Sequence, residues 1–269
     1  MTAPLDHIVV EVAVDSLAAA EVAVAAGADR LELCQAQELG GLTPSPGLIA
    51  AVRARVRLPV FIMIRPRAGE FVFSPAEIEV MAQDVRAAAD GGADGIVVAA
   101  LSADGSVNLD AMRRLVRSAG ELPVTFHRAF DHGSQPIKAL DHLAELRVAR
   151  VLTAGGAVTA LAGAAAIARY VKRAPSGLTV IAGGGITGEH VVELIRRTGV
   201  TEVHLSGTYQ MPCSVPDGFG LNTLPNPARL LRLVSALRAD REMESGKGEA
   251  GSGKTAKVDR PSVTPDPGA

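Results

Sequence analysis

Helical patterns and short β-branched runs alternate from Ile8 to about Thr208. Such an alternation predicts a parallel sheet joined by crossover helices. Eight strands are expected, near Ile8–Val14, Arg30–Cys34, Val60–Arg65, Gly95–Ala99, Val124–His127, Ala149–Thr153, Thr179–Ala182 and Glu202–Ser206. A weak internal repeat marks the joints: Ala26-Gly27-Ala28-Asp29, Gly91-Gly92-Ala93-Asp94 and Thr198-Gly199-Val200-Thr201 each precede a strand. Glycine there suits the left-handed residue that ends a helix. Eight such units in one domain of about 200 to 250 residues match a single-domain α/β chain folded as a (β/α)8 TIM barrel. A doubly wound open sheet is the alternative.

The barrel is assigned to residues 1–239. After Arg238 the chain turns to Gly, Ser, Glu, Lys, Asp and Pro without apolar periodicity, so 240–269 reads as a disordered tail. That context governs Gly248-Glu249-Ala250-Gly251-Ser252-Gly253-Lys254-Thr255, which fits the Walker A pattern by its letters. A phosphate loop needs a strand leading in and a helix leading out, and neither is expected, so ATP is not predicted.

Close to half of the 269 residues are apolar, enough for one full core, and the formal net charge is -2. With no long basic block and no Trp, nucleic acid is not expected as a partner. The N-terminal residues lack the pattern of a signal peptide, and no apolar run is long enough to span a bilayer. Cys34 and Cys213 are two cysteines only, read as reduced thiols. These features point to a cytoplasmic protein with no membrane partner.

Chemistry concentrates where strands end. Val124-Thr125-Phe126-His127-Arg128-Ala129-Phe130-Asp131 runs from a β-branched start into ionisable groups. Arg30-Leu31-Glu32-Leu33-Cys34 ends in a carboxylate and a thiol, and Phe61-Ile62-Met63-Ile64-Arg65-Pro66-Arg67 in two guanidiniums. Alternation puts Glu11 with Ala13, Glu32 with Cys34, Met63 with Arg65, Thr125 with His127, and His204 with Ser206 on common faces. If those faces line a barrel, its C-terminal mouth collects them, which is where such barrels keep active sites. Glu11, Glu32, Arg65 and His127 are therefore the catalytic candidates, and Arg67, Arg128 and Asp131 candidate ligand-binding residues beside them. A structural salt-bridge layer, with Glu11 and Glu32 neutralising Arg65, is the bland alternative.

Gly183-Gly184-Gly185-Ile186-Thr187 after strand seven and Ser206-Gly207-Thr208 after strand eight have the spacing of a backbone cradle for an anion. Gly184, Gly185, Ser206 and Gly207 would hold it, unless the glycines only make a tight turn. All five lysines lie outside the strand ends, which disfavours a Schiff-base mechanism. His127 or a carboxylate as acid/base, Arg65 with Arg67 as an anion clamp, or a bound metal remain. Glu11, Glu32, His127 and His204 suit a divalent ion such as Zn or Mn, whereas Cys34 with Met63 suits Cu(I). A lone strand cysteine is also a common small buried hydrophobe.

Six blocks in order carry a resemblance: Gly27-Ala28-Asp29-Arg30-Leu31-Glu32-Leu33-Cys34, Gly40-Gly41-Leu42-Thr43-Pro44-Ser45, Ile64-Arg65-Pro66-Arg67, Val124 to Asp131, Arg150-Val151-Leu152-Thr153 and Glu202-Val203-His204. Together they resemble CutC, the copper homeostasis family, from about Val9 to Gly207. The resemblance implies a cytoplasmic TIM-type barrel, usually a homo-oligomer and here expected as a dimer, with a role in copper tolerance and Cu(I) binding. The family's proposed copper site pairs a first-strand cysteine with the one matching Cys34. Ala13 stands in the first place, so half of that site carries over, with Cys34 and His204 as the metal-ligand candidates and Cys213 as a compensating thiol. Two functions follow: a copper-handling binding protein, or a barrel enzyme (lyase, isomerase or hydrolase) acting on a small anionic or phosphorylated metabolite, with His127 titrating near neutrality as acid/base.

Overall fold

The computed structural model describes residues 8–212 and 221–249, with side chains over 8–208 and 224–239. Eight parallel strands close into a barrel in chain order: β1 (Val9–Val14), β2 (Arg30–Leu33), β3 (Val60–Ile64), β4 (Gly95–Val98), β5 (Val124–Phe126), β6 (Arg150–Thr153), β7 (Thr179–Gly183) and β8 (Glu202–Ser206). The open-sheet alternative is excluded because β8 pairs back onto β1, with Glu11 in register with both Arg30 and His204. Helices α1 (Leu17–Ala25), α2 (Pro46–Arg53), α3 (Pro75–Asp90), α4 (Leu109–Ala119), α5 (Pro136–Glu145), α6 (Ala164–Arg173) and α7 (Val191–Thr198) alternate with the strands.

Local chemistry sets the joints. Ser16, Ser45 and Asn108 cap α1, α2 and α4 with their side-chain oxygens, and Ser74 with Glu77 forms a reciprocal capping box at α3. Gly27 and Gly92 sit at φ +90 and +86, the left-handed conformation that the repeat anticipates. The aspartates of the same repeat work as staples: Asp29 accepts from the Val10 N–H and Asp94 from the Val60 N–H, both at 2.8 Å. Each ties the start of its own strand to the preceding one.

One strand face packs outward under the helices, in a continuous core that includes Val12, Leu31, Leu33, Ile62, Ile64, Ile96, Val151 and Val203. The other face fills the barrel in layers drawn from alternate strands, as strand tilt requires. Lowest lies an ionic floor. The Arg30 guanidinium bridges the buried carboxylates of Glu11 and Glu202, and Arg150 donates to Glu202 at 3.2 Å. Both guanidiniums lie over the Phe61 ring, 5.0 and 5.2 Å from its centroid. Gly95 makes room for that ring, since a Cβ there would come within 2.5 Å of it. From Phe61 upward, Met63, Val97 and Cys34 complete a separate apolar cluster inside the barrel.

Beyond β8 an antiparallel hairpin, β9 (Thr208–Pro212) and β10 (Leu221–Pro225), packs near α1 and the short 3-10 turn Gln37–Leu39. Sequence analysis did not anticipate it. The last helix, α8 (Pro227–Glu249), continues past residue 240, where the composition change placed the start of a disordered tail. Cys213, residues 250–269 and with them most of the Walker-like segment lie outside the described residues.

Two stability outcomes follow. Arg30→Met strands Glu11 in the interior and should cost about 3–5 kcal/mol in urea denaturation. Gly95→Ala should cost about 1–3 kcal/mol by forcing the Phe61 ring against its cations. A neutral result for both would show that the floor does not hold the barrel together.

Candidate functional site

Directly above the floor, Glu11, Glu32 and His204 each offer a ligand atom within 4.8 Å of the others. Register puts them there, since β1 lies between β2 and β8 and pairs Glu11 with His204 and Ala13 with Glu32. His204 Nδ1 and Glu11 Oε1 are 2.7 Å apart, while Arg30 Nε donates to the other Glu11 oxygen. Burial works to raise the Glu11 carboxyl, but His204 and then Arg30 outweigh it and hold it at about 2. For Glu32 burial wins: with the Glu11 charge it pushes the carboxyl up to about 7 against His204 and Arg30. Burial also disfavours a charged His204, yet the charge of Glu32 and the bond to Glu11 raise its pKa above the ordinary value. Glu32 is 3% exposed, and its Oε2 has no hydrogen-bond partner among the described residues.

On the far side of the mouth, His127 follows β5 and caps a 3-10 turn, Arg128–His132. Its Nδ1 accepts the Ala129 N–H at 3.1 Å, which places the imidazole proton on Nε2. Burial first, then the charges of Arg65 and His132, depress its pKa to about 3. The neutral, Nε2-protonated imidazole is therefore the favoured form at physiological pH, where sequence analysis expects titration near neutrality. Its Nε2 is buried and unpartnered among the described residues. Phe71 lies beside it, ring centroids 5.0 Å apart, and also under the Arg65 guanidinium at 4.9 Å.

Arg65 does not neutralise the glutamates. Its terminal nitrogens donate to the carbonyls of Leu39, Gly41 and Gly69, lacing two mouth loops together, and its buried Nε lacks a partner among the described residues. Arg67 is not its companion in a clamp: it pairs with Glu77 and donates to the carbonyls of Ala68, Glu70 and Val72. Asp131 is likewise occupied internally. Its carboxylate accepts from Thr153 Oγ1 and from the backbone N–H groups of Ala154 and Gly156, and pairs with Arg128 at 2.9 Å. The anion in that backbone nest is the protein's own.

The expected phosphate cradle is divided in the same way. The Gly207 N–H donates to Ala13 O, and a Cβ on Gly207 would meet Val12 at 2.6 Å, so this glycine serves strand packing. Ser206 Oγ lies 3.1 Å from both Gln37 Oε1 and Thr208 Oγ1. Gly184 and Gly185 remain at the mouth; the Arg128 guanidinium flanks Gly184, and Thr159 covers Gly185. Cys34 is 1% exposed and its thiol donates to Val14 O at 3.6 Å. Burial, then Glu32 and Asp15, push that thiol well above the ordinary range, so it keeps its proton.

Sequence reasoning passed over Arg30, Arg150 and Glu202, although the period of two that joined Glu32 to Cys34 and His204 to Ser206 extends directly to Arg30 and Glu202. It also passed over Gln37 and Phe71, which lie on mouth loops where no periodicity applies.

A family profile described as the CutC family matches residues 8–209. A "family protein CutC" of Xanthomonas axonopodis pv. citri is 42% identical over 235 residues, covering 85% of this chain and 98% of its own length. The human "Copper homeostasis protein cutC homolog" is 45% identical over 196 residues, 73% of this chain and 72% of its own. The crystal structure of a candidate copper homeostasis protein CutC from Streptococcus agalactiae superposes with a TM-score of 0.70 at 29% identity, covering 74% of this chain and 98% of that one. Phosphoribosyl anthranilate isomerase from Thermotoga maritima shares the barrel alone, with a TM-score of 0.54 at 13% identity over 86% of this chain and 99% of that one. On the profile match and these identities, the chain belongs to the CutC family.

Proposed function

We propose that the barrel mouth is an enzyme-type site for a small anionic, oxygen-rich metabolite. One observation carries this reading: Glu32 Oε2, Arg65 Nε, Thr125 Oγ1 and His127 Nε2 are all buried, all unpartnered among the described residues, and all borne on or just after β2, β3 and β5. Buried polar groups in folded proteins find partners nearly always, and a concentration of exceptions at a barrel mouth suits a ligand that supplies them. The two N–H donors suit a carboxylate, phosphate or carbonyl oxygen, and the glutamate oxygen suits a hydroxyl. Hydroxy acids, keto acids and sugar phosphates fit that pattern. A neutral His127 would polarise a substrate oxygen by donating Nε2–H, and a lyase or isomerase reaction fits best.

A copper reading rests on a different observation. Cys34 Sγ and Met63 Cε both lie within 4 Å of one point beside Gly41, a thiol and a thioether side by side. Ala13 supplies no second thiol and the Cys34 proton is held by burial, so this pair supports Cu(I) less well than the polar mouth supports an oxygen ligand. Titration of reduced protein with Cu(I) against a competing chelator should show weak binding that Cys34→Ser leaves unchanged; tight binding lost in that variant would favour copper.

Thermal-shift screening of hydroxy acids, keto acids and sugar phosphates should yield a stabilising compound. His127→Asn keeps an acceptor for the Ala129 N–H but removes the donor at Nε2, and should weaken that compound by roughly ten- to a hundredfold. A library without hits, or a hit indifferent to His127→Asn, would sink the proposal. The neutral imidazole also has a signature in the unliganded fold. An unfolded chain protonates this histidine below its ordinary 6.5, whereas the folded one resists down to about 3. Stability is therefore lost as pH falls through that window. His127→Asn should show a shallower decline in melting temperature from pH 6.5 to 4, and parallel curves would contradict the buried neutral state.

A further inference from the structure

We propose that Glu11, Glu32 and His204 bind one divalent metal ion of hard to borderline character, such as Mn2+ or Zn2+, above the floor of the barrel. Two carboxylates and one imidazole are the donors such ions take, and no soft ligand belongs to the trio. The spacing suits a shared centre. All three ligand atoms lie within 4.8 Å of one another, and the 2.7 Å between His204 Nδ1 and Glu11 Oε1 is a distance that two neighbouring ligands of one ion can keep once the metal replaces the bridging proton.

A second, independent feature points the same way. Glu32 is 3% exposed, yet its Oε2 has no partner among the described residues. A carboxyl buried this deeply is costly unless something completes it. With Glu32 ionised, the surroundings also favour a cation. Around the trio stand the carboxylates of Glu11, Glu32 and Glu202 and the guanidiniums of Arg30 and Arg150, an excess of one negative charge with His204 neutral. Arg30 holds the second oxygen of Glu11, the outer support that orients a ligating carboxylate. On the mouth side the next interior residue of β1 is Ala13, in register with Glu32 and Ser206, so only a methyl group stands above Glu11. The site rests on the preceding reading only for its purpose, which would be to help hold the same oxygen-rich ligand.

The test uses the full-length, reduced protein and the metals alone. Calorimetric titration with Mn2+ and Zn2+, and the visible spectrum of added Co2+, should report one ion per chain. Glu32→Gln turns a carboxylate whose Oε2 has no partner among the described residues into an amide of the same shape, and should leave the fold intact while weakening binding by about a hundredfold or more; His204→Gln should do likewise. Cys34→Ser and His127→Asn should bind metal as the wild type does. No stoichiometric binding by the wild type would overturn the proposal even if a variant failed to fold. So would equal binding by Glu32→Gln, or loss of binding in Cys34→Ser, which would place the ion on the thiol. Metal binding retained in His127→Asn while an oxygen ligand is lost would separate the two proposals.

Discussion

The Arg30 bridge between Glu11 and Glu202 is the constraint from which the interior follows. Burying charge inside a barrel is unfavourable unless each ion meets a counter-ion with its hydrogen bonds directed. Here one guanidinium serves carboxylates on two strands, β1 and β8, and a second reinforces it from β6. The bridge fixes the height of Glu11 and leaves one of its oxygens turned upward, where His204 meets it. Phe61 fills the remaining floor with both cations over its ring, which is why β4 carries glycine opposite it. Floor and trio are thus linked through one buried cation.

Height in the barrel then decides the fate of each acid. Glu11, in contact with Arg30 and His204, stays ionised; Glu32, one turn of the layer pattern higher, lies beyond hydrogen-bond reach of either and holds its proton to about 7. The contrast between two carboxyls of one site is set by environment alone. His127 is shaped in the opposite sense. A backbone N–H occupies Nδ1 and Arg65 disfavours a positive ring, so the side chain with the most familiar acid–base chemistry is held neutral as a donor.

How much of this was legible in the chain divides along the same lines. Strand positions, barrel closure and the mouth location of Glu32, Cys34, Arg65 and His127 followed from a period of two and from glycines that end helices, because those are local and repetitive constraints. The employment of Arg65, Arg67 and Asp131 did not follow. Each is held by loop carbonyls, a helix-capping glutamate or backbone N–H groups from segments distant in sequence, and pattern carries no information about such partners. The protonation of His127 was not legible for a related reason: the residue type suggests titration near neutrality, but burial first and then the charges of Arg65 and His132, all set by the tertiary fold, lower its pKa. The hairpin β9–β10 was passed over although Pro216-Asp217-Gly218, between its strands, is a turn signature.

The interior also bears on what a CutC fold can carry when its soft ligands are reduced. A thiolate pair would draw Cu(I) to β1 and β2, but this chain presents a methyl group on β1 and a buried, protonated thiol after β2. Directly below, the same two strands and β8 retain two carboxylates and an imidazole, held in place by a floor that makes no use of sulfur. Soft and hard donors are therefore spatially separate in this barrel, so a side-chain exchange at the first-strand position of Ala13 is expected to act on a soft ion without touching the carboxylates and imidazole beneath it. Soft and hard donors thus stand at different heights of the barrel, and among the described residues the buried, unsatisfied side-chain atoms are oxygen and nitrogen.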